Sequence, residues 1–277
     1  MVSKVLAVLF AVLTIPSVVG WWFQRDVLDT ENYLEIVTPL ASDPEVQSKL
    51  AEAVSEEIIS RLDVTGKIEA AALELPPGAA SVLSSLAVPL ESGVDSYVQR
   101  VAADAVGSEG FVKVWVAVNL ASHRQVVAGE PVYVDLGPIV EQTKARLVAE
   151  GFGLAATVPV VDERYALVTS PALQRAQRWY PLVKALPLLA LVLLAVAMLI
   201  SRSRLQILLI ASMGTAIAML VLTAATYIGR AIPAPPGGGA VYDAFTDSLR
   251  SDIRWVMAIS AVIALGVWVL KRRLTPK

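Results

Sequence analysis

Four stretches of this chain are long and apolar enough to cross a bilayer, and they fix its class before any other property enters. Val5 to Phe23 carries no charge, is preceded only by Lys4, and ends on Trp21-Trp22, an amphipathic pair suited to a headgroup boundary. Leu182 to Ile200, Leu205 to Ile228 and Ile253 to Leu270 follow in the last third. A helix rises about 1.5 Å per residue, so such stretches approach the ~30 Å hydrocarbon core. Lys184 lies near the end of its stretch, where a lysine stem snorkels to the interface. Pro187 falls in the first turns, where a missing amide costs little. Trp255 and Trp268 anchor the ends of the short fourth stretch. The composition agrees, with 56% hydrophobic and 17% charged residues, against roughly 45–50% and about 25% in soluble chains.

The competing reading of the first stretch is a cleaved signal peptide. A thin basic leader and the lack of an A-x-A site before the tryptophans favour an uncleaved signal anchor. Charge then gives orientation. With the N-terminus inside, Lys4, Arg202, Arg204, Lys271, Arg272, Arg273 and Lys277 all face the cytoplasm, and every Asp and Glu falls outside. The positive-inside rule is met at each cytoplasmic segment. The expected organisation is a signal anchor at 1–23, an exported domain at 24–181, and a three-span region at 182–277 with an external loop at 229–252. The expected arrangement is multi-pass, with both termini cytoplasmic and the large domain outside.

The exported segment is long enough for one folded domain. Its acids outnumber its bases, so neither nucleic acid nor anionic lipid headgroups are expected partners. Asp29 or Thr30 caps a short helix. Asp43-Pro44 starts a longer one, in which Val46, Leu50, Val54 and Ile58 recur every four residues. Pro76-Pro77-Gly78 forces a turn. Ala79 to Val106 then has helical spacing through Val82, Leu83, Leu86, Leu90, Val94, Val98 and Val101, with Pro89 expected to kink or divide it. Phe111 to Val127 reads as a buried helix, with a strand as the alternative because of its β-branched residues. Val132 to Leu136 and Tyr165 to Val168 read as strands around a helix from Ile139 to Glu150, parallel if that helix is a crossover. The expected class is therefore an all-α transmembrane part of four helices and a mainly α exported domain with a small β element, α+β.

The chain resembles a family of uncharacterised multi-pass integral membrane proteins of actinobacteria. The likeness rests on the N-terminal anchor followed by Asp29-Thr30 and Tyr33, then Pro39-Leu40-Ala41 and Asp43-Pro44-Glu45-Val46-Gln47. Val134-Asp135-Leu136-Gly137-Pro138, Leu167-Val168, and Leu173 before Arg175-Ala176-Gln177 extend it over nearly the whole chain. The resemblance implies an actinobacterial plasma membrane and the same anchor, exported domain and three-span order. It implies no substrate and no catalytic residue.

With no cysteine and His123 as the sole histidine, thiol chemistry and multi-histidine metal sites are excluded. His123, on a helical segment with Trp115 and Asn119, reads as structural or exposed. Asp135, Asp162 and Glu163 are the least arbitrary carboxylates for two-acid hydrolysis, but surface charges or helix caps explain them more simply. Asp26, Asp29 and Glu31 lack the spacing of a calcium loop. Ser212, Thr215, Thr223 and Thr226 in the third span are neutral and able to bond their own helix. Ala211, Gly214, Thr215 and Ala218 make a small-residue packing face. Tyr242, Phe245 and Leu249 suggest a short amphipathic helix in the external loop. No catalytic, cofactor or metal residue is assigned. The leading expectation is a non-enzymatic envelope protein whose exported domain binds a protein or envelope (cell-wall) component. A carboxylate hydrolase is the alternative, and a transporter component is third.

Overall fold

The computed structural model describes residues 1–128, 130, 132–159, 164–168, 170–232 and 238–274. Four of its helices are long and apolar enough to cross a membrane: Val2–Val27, Leu182–Ile200, Arg204–Ala231 and Gly238–Arg273. The protein is thus an essentially helical membrane-embedded chain. Its contacts divide it into two compact units, one of Met1–Ile36, Ser170–Pro235 and Val241–Lys277, the other of Val37–Thr169 and Pro236–Ala240. The division falls inside the exported segment read as 24–181, because residues up to Ile36 group with the spans.

In the first unit, α1 (Val2–Trp22) packs against α8 (Ser170–Ile200) and α9 (Arg204–Ala231). Small residues make this possible. Ala7 of α1, Ala197 of α8 and Ala211 of α9 share one cluster with Ile207. A Cβ built on Gly214 would lie 2.7 Å from Ala11 Cβ, and one on Gly20 would collide with Val183 Cγ1. Without a hydrophobic driving force between helices in lipid, such close approach supplies the dispersion contacts that hold the bundle. Leu188, Leu191, Ile217, Val221, Val262 and Leu265 point outward, as a lipid-facing surface requires.

Three sequence expectations change in this unit. The first span does not stop at Phe23 but runs on through a π-type turn, Phe23–Val27. The segment around Tyr242, Phe245 and Leu249 is no separate interfacial helix: α10 (Gly238–Leu274) is continuous through it and the fourth span. Leu249 and Ile253 bury against Met219 and Leu222, and the Tyr33 and Phe245 rings lie 5.8 Å apart. The tryptophan pair is also split. Trp21 is 59% exposed, whereas Trp22 Nε1 donates to Phe245 O at 3.1 Å and to Ser248 Oγ at 3.0 Å.

The second unit begins within α2 (Thr30–Val37), whose first amides, at Glu31 and Asn32, donate to Asp29 Oδ1. Then α3 (Pro44–Leu62) is capped by Asp43, which accepts from Glu45 N and Val46 N, with Pro44 in the first turn. It ends at Asp63, a residue in the left-handed region (φ 45°) that also caps α4 (Val64–Leu73) through Gly66 N. Next come α5 (Pro77–Val106), α6 (Glu109–Ala128) and α7 (Gly137–Ala149). The core joins Val54, Ile58 and Leu62 of α3 to Val98 and Val101 of α5, Phe111 of α6, and Ile139 and Leu147 of α7. Each such side chain contributes about 1.5–3 kcal/mol on burial. Trp115 Nε1 donates to Val37 O at 2.7 Å, fixing α6 to the start of the unit.

The segment at Phe111 is therefore helical and not a strand, but it is not buried throughout: Phe111, Val118, Ser122 and His123 are its buried residues, and it packs on the 38–42 turn, β1 and α7 with its other side partly exposed. Pro89 lies inside α5 and does not divide it. The chain pairs β1 (Val132–Asp135) with β2 (Arg164–Val168) antiparallel, Val134 opposite Tyr165. An antiparallel pair needs no crossover, so α7 is not the connection of a parallel unit. Among the described residues this short pair stands beside ten α-helices, so the chain is essentially helical and the strands are a minor feature of it.

Candidate functional site

Successive turns of α3 present two different faces. Val46, Leu50, Val54 and Ile58 face the core, while Pro44, Gln47, Ser48, Ala51, Glu52 and Ser55, spaced by three and four residues, fall on an adjoining face. Opposite them stand Gln99 and Ala103 of α5. Together they line a groove of about 530 Å³, a size within the usual range for ligand sites. Small residues give it depth, with Ala51 and Ser55 buried at its floor. Its chemistry is neutral hydrogen bonding. Gln47 Nε2 is tied to Ala41 O at 2.8 Å and Ser55 Oγ to Glu52 O at 2.9 Å, which orients those two groups. Ser48 and Gln99 stand at the exposed rim. Glu52 is the groove's one carboxylate and pairs with Lys49.

A second concavity of about 450 Å³ lies in the membrane unit among Phe10, Val18, Trp21, Leu191, Trp255 and Val256. Its hydroxyls are consumed locally: Thr14 Oγ1 donates to Ala11 O and Ser17 Oγ to Leu13 O. The lining is therefore effectively hydrocarbon, which lipid chains satisfy. Asp252 at its edge is held by Arg25.

Arg25 sits between two carboxylates. Its Nε and Nη2 reach Asp26 Oδ1 and Oδ2 at 2.8 Å each, and Nη1 reaches Asp252 Oδ1 at 3.1 Å. This bidentate clamp joins the end of the first span to α10. A second network joins α9 to α10: Arg230 to Asp243 at 2.7 Å, Arg250 to Asp243 and Asp247, and the Arg250 guanidinium 5.1 Å from the Tyr227 ring centre. The acids of the loop region thus serve to fasten helices.

The sequence candidates separate accordingly. Asp135 Oδ1 accepts from Gly137 N, the first amide of α7, at 2.9 Å. Asp162 and Glu163 lie outside the described residues. His123 is buried and engaged by its surroundings. Asp29 is a helix cap and Asp26 an ion-pair partner, so these two are occupied as structure, while Glu31 is exposed and gives its backbone amide to Asp29 Oδ1. Ser212, Thr223 and Thr226 bond their own helix, at Leu208 O, Met219 O and Thr223 O. Thr215 does not: its Oγ1 is buried with no hydrogen-bond partner on the small-residue face. The groove on α3 escaped the sequence reading, although its signal was present as a second, small and polar periodicity beside the apolar one. Comparison with protein-family models, curated proteins and solved structures finds no match to this chain.

Proposed function

We propose that this is a multi-pass plasma-membrane protein, of the actinobacterial kind its sequence resembles, with both termini cytoplasmic and an uncleaved signal anchor. The unit Val37–Thr169 is presented outside and binds a protein or envelope component without chemistry. The observation that carries the reading is the α3–α5 groove, whose lining offers amides, hydroxyls and a single ion-paired carboxylate. Two-acid hydrolysis requires a second carboxyl roughly 5–9.5 Å away across the cleft. Neutral donors and acceptors over small side chains suit recognition of a peptide backbone or a glycan instead. The orientation rests on Arg202, Arg204, Lys271, Arg272 and Arg273, which flank the predicted cytoplasmic ends of the spans. Against a transporter role stand the third-span hydroxyls, three of which are spent on their own backbone.

The test is a photo-crosslinking residue at Gln99 in the full chain, in native membranes. One species enriched over an unrelated multi-pass control, and lost with Ser48→Leu, supports the reading. Labelling no greater than the control overturns it.

A further inference from the structure

The helical hairpin of α4 and the first half of α5 has no core of its own. No residue of α4 is buried, and none of α5 before Val98. The two helices pack on each other, with Ile68, Ala72, Leu83 and Ala87 half-buried. The outer side is apolar: Val82, Leu86 and Leu90 form one stripe at four-residue spacing, 60%, 47% and 46% exposed. Leu73 (88%) and Leu75 (43%) are exposed at the turn between the two helices. The opposite face of α5 carries Ser81, Ser84, Ser85 and Ser92, with Val88 (71% exposed) the apolar residue among them. Between Glu69 and Glu91 the one charged residue is Glu74.

We propose that this hairpin lies in the interface of the bilayer that anchors the chain, its Val82–Leu86–Leu90 stripe and Leu73 in the acyl boundary and its serine face toward water. An exposed apolar stripe on an element without a core requires a cover. A protein groove would need charges or hydrogen-bonding groups to set register, and the hairpin offers almost none. Ser85 Oγ is already given to Val82 O at 2.7 Å. A bilayer needs no register. It is also the one apolar phase to which the chain is tethered, so its effective concentration is high. The turn tolerates such a setting. Pro76 and Pro77 have no amide to satisfy, and the amides of Glu74 and Leu75 bond Ala71 O and Ala72 O. With no Lys or Arg on the hairpin's outer half, attachment is by apolar insertion alone. It therefore depends on lipid packing and not on anionic headgroups. The proposal requires the spans to be embedded but is independent of what the α3–α5 groove binds.

The natural absence of cysteine makes the test direct. The full chain is reconstituted at one copy per lipid nanodisc, with an environment-sensitive fluorophore on Val82→Cys, Ser84→Cys or, as a control away from the hairpin, Glu109→Cys. Position 82 is expected to emit to the blue and to be quenched by acyl-chain quenchers at least twofold more than positions 84 and 109. That pattern should be unchanged by 0.5 M salt, or when a zwitterionic lipid replaces an anionic one. Leu86→Glu should return position 82 to water while the helical circular dichroism is kept. Equal iodide quenching at 82 and 84 with no lipid quenching overturns the proposal. So does burial that appears only with two copies per disc, which assigns the stripe to a second chain.

Discussion

Asp63 closes one helix and opens the next from a backbone conformation that few residues with a Cβ adopt, and its carboxylate accepts from Gly66 N in doing so. A Cβ at Gly66 would collide with that carboxylate. The two residues therefore form one device, and Gly66→Ala should disturb it as much as losing the cap. Asp43 is the simpler case, accepting two orphan amides of α3. Asp43→Ala should lower the stability of the full chain by about 1 kcal/mol, read as a fall in the thermal midpoint in detergent, while Asp43→Ser should recover most of it. Arg25 is the residue on which most charge depends. Arg25→Gln leaves Asp26, which is buried, and Asp252 facing each other without a cation. The loss should be below the ~3–5 kcal/mol of a fully buried pair, because the Arg25 side chain keeps 35% of its surface in solvent. Adding Asp252→Asn should restore part of the midpoint, and a double mutant no better than the single would show that the pair contributes nothing.

Among elements, α1 and α9 show how an apolar stretch becomes a packed helix. The Ala211, Gly214, Thr215 and Ala218 face was legible as small residues at helical spacing, and the structure places Ala211 in one cluster with Ala7, Gly214 against Ala11, and Ala218 in a second cluster with Ile15 and Val18. Gly214→Val should drive α9 off α1 and lower detergent stability, and Ala11→Gly in the same chain should relieve it; no relief would mean the two do not meet. By contrast α10 is joined to α1 and α9 largely through long side chains: Trp22 to Phe245 O, Arg25 to Asp252, Tyr242 Oη to Thr226 O, and Arg230 to Asp243. Such ties depend on which turn of a helix faces which neighbour. Sequence spacing supplied the helix but not its partner, so the segment at Tyr242 was read as a surface helix. The same limit applies to α5. Its apolar spacing from Val82 to Val101 reads as one continuous core face, yet only the half from Val98 onward has α3 and α7 beside it. Periodicity records the face a helix offers and is silent on where its neighbours end.

For the molecule as a whole, topology is the property with the largest consequence. A reporter active only in the cytoplasm, fused after Lys277, should be active, and a silent fusion would refute the orientation. Moving Arg202 and Arg204 to Glu should weaken the preference for that orientation, because the charge bias at the Ser201–Arg204 turn would be reversed. Much of this level follows from the chain alone. Length and apolarity determine four helices able to cross a membrane, since no hydrocarbon-soluble alternative to a helix satisfies the backbone. Capping residues such as Asp43, with Pro44 after it, determine where helices begin, because the orphan amides they satisfy are local. Tertiary structure decided what depends on distant residues. It set Trp22 inward and Trp21 outward, ran the fourth span back through Tyr242, paired β1 and β2 antiparallel, and opened a polar groove between Gln47 and Gln99. Local spacing fixes the direction in which a side chain points, whereas burial and pairing belong to whatever the fold brings to meet it.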